Sequence, residues 1–273
     1  VSTQYQAVET HAELARYFEV DGAHLYTVLH EVPNPLARVL LVGPFASGRH
    51  TSYLAWVRWA RYLAARQIEV LRYDYRGIGE STGEFEEMTL PDWIEDARDL
   101  GGWLKAKDPG TPLILIGLEL GGLLAGRVFD EGLGDALVLW SPPQGANQFL
   151  RTALSRWVGM QQLGKPAHER KPVSHFIELL EEGVTLEIEG YRWTRKMWLS
   201  SFGLDLPEAL RSQEFAAARY HRPVRIVTLG KNAASLVKGG SIGYEDAQDY
   251  SWLFSSDFEW ITSAIGAGQG CSS

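Results

Sequence analysis

The chain has 273 residues, 45% of them hydrophobic and 22% charged, a mixture typical of globular domains and unlike disordered chains. With 26 Lys and Arg against 34 Asp and Glu it carries a net charge of −8 and no basic run, which excludes the clustered cationic footprint of a nucleic-acid binder. Its single cysteine, Cys271, can form neither an internal disulfide nor a thiolate metal cluster, so a reducing, cytoplasmic setting is expected.

Residues 14–20 and 23–32 are strand-like and flank Asp21-Gly22, a hairpin signal. Pro33 and Pro35 break the pattern, and ARVLLV at 37–42 has the length and composition of a buried strand. A loop at 43–49 leads to a helical pattern over 52–66. Residues 68–75 predict another strand, which runs into Asp74-Tyr75-Arg76-Gly77-Ile78-Gly79-Glu80-Ser81. A helix is expected over 91–105, with Pro91 in its first turn and acidic and basic residues placed to suit its two ends. A short strand at 113–116, an apolar helix to about Phe129 and a strand at 136–140 follow. Alternation of this kind calls for a mostly parallel, doubly wound sheet behind an N-terminal antiparallel hairpin.

The pattern changes after residue 140. Helices are expected at 148–158 and 175–182, and an exposed strand at 184–189. Residues 141–221 are therefore expected to form a cap inserted into a core made of 1–140 and 222–273. Residues 223–229 return to the core pattern, 250–254 predict a last strand and 258–265 a last helix. The opening residues hold no basic stretch followed by an apolar run, so no signal peptide is expected. The longest apolar stretch, 112–126, is interrupted by Glu119 and too short to span a bilayer.

A strand, then Gly117-Leu118-Glu119-Leu120-Gly121, then a helix rich in small residues has the form of a nucleophile elbow. The central residue of such a turn is strained, and its neighbours must be small so that the helix passes close to the strand. A working elbow holds Ser, Cys or Asp at its centre; here Glu119 stands there.

Together with the Gly43-Pro44-Phe45 loop and the loop at 74–81, this segment resembles the α/β-hydrolase superfamily. The resemblance implies an α/β-hydrolase fold with a helical cap. It also implies oxyanion-type amides at Phe45 or its neighbour and at Leu120, elbow glycines at Gly117 and Gly121, and a structural role for the 74–81 loop. The phrases PFASGRH, EVLRYDYRGIGES, GLELGGLLAGR, LVLWSPPQGANQFLRTAL and EGYRWTRKMWLSSFGLDL, spread over 37–206, resemble the exosortase-associated, serine aminopeptidase-like hydrolase group. That group accompanies bacterial protein-sorting and exopolysaccharide gene clusters, and its members often lack Ser at the elbow.

A Ser-His-Asp site needs three groups in one place. The acid is expected after the strand at 224–229, where residues 230–234 carry none; Glu245, Asp246 and Asp249 come later. The base is expected near the C-terminus, yet none of the seven histidines lies beyond His221. His221 precedes a strand and belongs at the wrong edge of the sheet, whereas function in open α/β sheets sits at the C-terminal edge. His168 and His175 fall in the cap, which leaves His50 as the one histidine placed near the site.

Each candidate has a plainer alternative. Glu119 either plugs the old nucleophile pocket or binds and reacts, and His50 is either a partner or a loop and cap residue. Asp74 is expected to pair with Arg76 or a neighbouring loop. Trp157, Trp193 and Trp198 either pack on the core or wall a pocket. Helix N-terminal amides are expected to hold Glu119 ionised and lower its pKa, with an apolar pocket acting the other way.

Three functions remain open from sequence. The first is a hydrolase-fold accessory or ligand-binding protein without Ser-triad chemistry, a pseudoenzyme. The second is an active ester, thioester or amide hydrolase using Glu119 with a non-standard partner. The third is an interaction protein using exposed aromatic residues. A small-molecule, lipid or acyl ligand and a homodimer are both permitted. No metal, cofactor or nucleotide is expected, because the spacings that bind them do not occur.

Overall fold

The computed structural model describes residues 12–228 and 251–269. The expected hairpin joins β1 (Ala12–Val20) to β2 (Ala23–Glu31) in antiparallel register. Asp21 (φ 45°) and Gly22 (φ 75°) turn it, and positive φ at both positions matches the twist of the strands. β2 pairs antiparallel with β4 (Ile68–Tyr73). From there β3 (Ala37–Val42), β5 (Leu113–Leu118), β6 (Ala136–Trp140) and β9 (Val224–Val227) continue the sheet in parallel, in the order β1-β2-β4-β3-β5-β6-β9.

Successive side chains of the parallel strands point to opposite faces, and both faces are covered. Leu40, Val42, Leu115 and Leu139 join a core shared with α2 (Leu90–Lys107) and α3 (Leu120–Asp130). Val39, Leu41, Ile116 and Val138 join a second core shared with α1 (Ser47–Ala64) and α8 (Ser251–Gln269). Burial on both sides is why β5 is an unbroken apolar run and β3 is apolar but for Arg38, whose guanidinium lies 3.6 Å from Glu69. The start of α2 is fixed by a capping box: Thr89 Oγ1 accepts from the Asp92 amide, and the Asp92 carboxylate accepts from the Thr89 amide at 2.7 Å.

Residues 141–221 contribute α4 (Ala146–Gln161), α5 (Val173–Glu181), a hairpin of β7 (Leu186–Ile188) with β8 (Tyr191–Trp193), α6 (Arg195–Ser200) and α7 (Gln213–Arg219). Leu150, Leu154, Leu180, Trp193 and Trp198 from this region pack into the core shared by α2 and α3.

Three sequence expectations change. The strand expected at 250–254 is helical from Ser251, the first described residue there, because Phe254, Phe258, Ile261 and Ile265 recur at helical spacing and bury one face against the sheet. α1 begins at Ser47 rather than Ser52, since the turn at Ala46 is tight enough for helix to start at once. The strand expected at 184–189 narrows to Leu186–Ile188, and its partner, 191–193, was not foreseen. Among the described residues no helix is long and apolar enough to cross a membrane.

Candidate functional site

β5 ends at Leu118 and α3 starts at Leu120, so one residue, Glu119, makes the turn with φ 51° and ψ −122°. An L-residue there is strained by about 1–3 kcal/mol. The surroundings hold it: the Glu119 amide donates to the Trp140 carbonyl at 2.8 Å, and its carbonyl accepts from the Gly122 amide at 2.9 Å. The two elbow glycines are required by close approach. A Cβ on Gly117 would stand 2.5 Å from the Gly121 carbonyl oxygen, and one on Gly121 would stand 2.1 Å from that of Gly43. The elbow geometry expected from the sequence is therefore present, with a glutamate at its apex.

A second turn of the same kind faces it. Ala46, between β3 and α1, has φ 42° and ψ −116°. Phe45 precedes it and is buried, its ring centroid 5.4 Å from that of Trp93 and 5.8 Å from that of Trp193. Leu120 is also buried, at the first position of α3. The Glu119 carboxylate reaches the first turn of α1, where a Cβ on Gly48 would lie 3.2 Å from Oε2. Among the described residues nothing hydrogen-bonds this carboxylate, the Phe45 and Leu120 amides included, and no cation lies within 4.0 Å of it.

The carboxylate opens into a cavity of 360 Å³. Ser47, Thr51, Arg156 and Glu189 give its other polar walls, and Phe45, Phe149, Ile188 and Trp193 its apolar ones. Glu189 stands at the tip of the β7–β8 hairpin, where it (φ 51°) and Gly190 (φ 84°) make the turn. Ser47 Oγ donates to Glu189, and Arg156 Nε lies 3.8 Å from its other oxygen. Sequence reasoning missed Ser47, Arg156 and Glu189. The Glu-Gly pair between LEI and YRW was the available sign of a turn; Arg156 carries no sign at all.

Burial raises the Glu119 pKa, and Arg156 opposes the shift from a distance. This corrects the expected lowering: the side chain leaves the α3 amides uncapped and turns into a partly apolar cavity, so desolvation outweighs the helix end. The charge of Glu119 consequently costs the folded state stability. The cost is absent below the ordinary glutamate range and appears as pH rises through the raised folded value. Glu119→Gln is expected to raise the melting temperature relative to the wild type at pH 8, and by a smaller margin at pH 4.5, in parallel thermal melts.

His50 does not join this site. It lies exposed on α1, is absent from the cavity wall, and its Nε2 is 3.2 Å from Tyr191 Oη. Starting α1 five residues early places it on an outward helix position rather than at the end of a loop. His24 and His30 are on β2, and Arg72 Nε donates to His30 at 3.2 Å. His168 and His175 lie within 141–221, and His221, ahead of parallel β9, is at the edge of the sheet opposite Glu119. His11, Glu245, Asp246, Asp249, Cys271 and residues 230–234 lie outside the described residues.

Asp74 pairs with Arg49 instead of Arg76, through contacts of 2.9 and 2.8 Å, and also accepts from the Glu80 amide at 3.1 Å. Arg76 goes to Asp96 of α2. Of the three tryptophans, Trp193 is both buried and part of the cavity wall, Trp198 is buried, and Trp157 packs on Phe176. Among the described residues no group of three His, Cys, Asp or Glu side chains could hold a metal ion.

Residues 33–187 match the family model described as serine aminopeptidase, S33. The chain belongs to that family of α/β-hydrolases. No curated protein matches it. Among solved structures this serine aminopeptidase family member is similar to Est1E from Butyrivibrio proteoclasticus, described with ferulic acid bound, at 19% identity and TM-score 0.60 over 92% of this chain and 100% of that one. It is also similar to a soluble variant of monoglyceride lipase from Saccharomyces cerevisiae in complex with a substrate analogue, at 13% identity and TM-score 0.58 over 98% of each chain. A third, an α/β serine hydrolase without lid from Xanthomonas campestris, aligns at 21% identity and TM-score 0.42 over 49% of this chain, which spans 62% of it. Likeness at such identities is likeness of fold.

Proposed function

We propose that this protein keeps the α/β-hydrolase fold without serine-triad turnover, and that it binds a small molecule in the cavity at Glu119. The carrying observation is a carboxylate at the apex of the elbow which, among the described residues, has no hydrogen-bond partner and opens into a cavity that no histidine lines. An ionised glutamate there repels the negative charge that develops on an attacked carbonyl, so ester hydrolysis is opposed by electrostatics as well as by the absent serine. An unpaired carboxylate in an open cavity supports binding over plugging, because a plug would be satisfied from within. Residues 141–221 act as the cap in this proposal, supplying Phe149, Arg156, Glu189 and Trp193 to the wall. A place among the exosortase-associated group, with an acyl or lipid-derived ligand, rests on the motifs at 37–206 and on the apolar walls.

A second carboxylate on the same wall, Glu189, favours one other reading, an active hydrolase in which Glu119 is nucleophile or base and Glu189 its partner. Intact-mass analysis after incubation with a fluorophosphonate tests the first reading. Neither the wild type nor Glu119→Ser is expected to gain the phosphonyl mass, since a serine installed at the elbow would still lack a base. Rapid, stoichiometric labelling of either protein contradicts it.

A further inference from the structure

The cavity at Glu119 has an uneven charge count. Among the described residues two carboxylates, Glu119 and Glu189, face it, with one guanidinium, Arg156. Arg156 Nε is 3.8 Å from Glu189, which also receives Ser47 Oγ, and the Thr51 hydroxyl donates to the Gly48 carbonyl at 2.9 Å, so neither the cation nor the hydroxyls described on this wall serve Glu119. Glu119 keeps a formal charge that Arg156 offsets only from a distance, and among the described residues its acceptor oxygens have no donor. A ligand that completes this site must bring N–H donors and one positive charge. The rest of the wall, Phe45, Phe149, Ala153, Ile188 and Trp193, offers apolar and aromatic surface suited to a short hydrocarbon stem and to the cation itself.

We propose that the cavity takes an organic ammonium, a primary amine on an apolar stem, with the ammonium against the Glu119 carboxylate and the stem along Phe149, Ile188 and Trp193. This deepens the binding function proposed above and rests on it. A neutral hydroxyl would supply a donor without the charge, and an anion would meet two carboxylates at once. Arg156 sets the sign of the competition: its guanidinium weakens the field felt by an incoming cation, so removing its charge should strengthen ammonium binding.

Calorimetric titration of the full chain at pH 8 with hexylammonium, hexan-1-ol and hexanoate tests the proposal, because the three probes share a stem and differ in the head group. Hexylammonium is expected to bind at least ten-fold tighter than hexanol, with hexanoate weakest. Glu119→Gln should lose ten-fold or more of the hexylammonium affinity and leave that of hexanol within two-fold, and Arg156→Gln should bind hexylammonium more tightly than the wild type. Hexanol or hexanoate binding as tightly as hexylammonium overturns the ligand class, as does no hexylammonium binding at millimolar concentration or an unchanged affinity in Glu119→Gln. The comparison among probes on the wild type needs no variant to fold. Failure here leaves the absence of triad turnover to the fluorophosphonate result, which reads a different property.

Discussion

Gly121→Ala is expected to destabilise the protein by at least about 3 kcal/mol, the upper range for overpacking, because the added methyl has no flexible neighbour to displace. Its Cβ would lie 2.1 Å from the Gly43 carbonyl oxygen and 2.4 Å from that of Val42, both in the backbone at the end of β3. Relief requires α3 to move away from the sheet, and α3 brings Leu123, Leu124 and Val128 to the core. Gly159→Ala supplies the internal comparison. Gly159 is exposed in α4, a methyl there would meet nothing within 4 Å, and alanine should stabilise by up to about 1 kcal/mol through helix propensity. Thermal melts of the two variants should move in opposite directions; a Gly121→Ala melt close to the wild type would mean that the elbow is looser than its contacts indicate.

Asp96→Ala carries the second large effect. Asp96 is fully buried in α2 and receives the Arg76 guanidinium at 2.6 Å and the Arg76 amide at 3.0 Å. The Arg76 carbonyl in turn accepts from Trp93 Nε1 at 3.0 Å, so one carboxylate fastens the 74–81 loop to the helix beneath it. Removing it strands a buried cation, which costs about 3–5 kcal/mol. The exposed Arg98–Glu131 pair has similar geometry in water, and Glu131→Ala should cost less than about 1 kcal/mol. Urea unfolding of both variants measures the contrast, and equal losses would contradict the role given to burial.

Much of the fold is legible in the residues because its signals are local. The Asp-Gly turn, the apolar runs of β3 and β5, and the small residues around Glu119 each constrain their own few positions, and the structure keeps all of them. Segment 250–254 misleads because a few apolar and aromatic residues suit a buried strand and a buried helix face equally. Only the longer period through Phe258, Ile261 and Ile265 separates the two.

The site is half legible for a related reason. Glu119 announces itself by its place between glycines, whereas the groups that meet it come from distant segments. Ser47 arrives because α1 starts early, and Glu189 because a hairpin of two three-residue strands turns at that point. Arg156 arrives because one face of α4 meets the cavity. Asp74 shows the same limit in part: of its two expected partners, Arg76 or a neighbouring loop, the loop is the one it meets, and only the structure shows that Arg49 is the residue. His50 is the converse case, next to the 43–49 loop in sequence yet held at an exposed helix position, where its ring meets Tyr191 and not the cavity.

Turnover of a broad panel of ester, thioester and amide substrates, measured on the wild type beside Glu119→Ala, tests the account at its centre. The two proteins are expected to give the same background rate on every substrate. Clear wild-type turnover that disappears in Glu119→Ala would make Glu119 a catalytic residue and contradict a protein that binds at this cavity without hydrolysing.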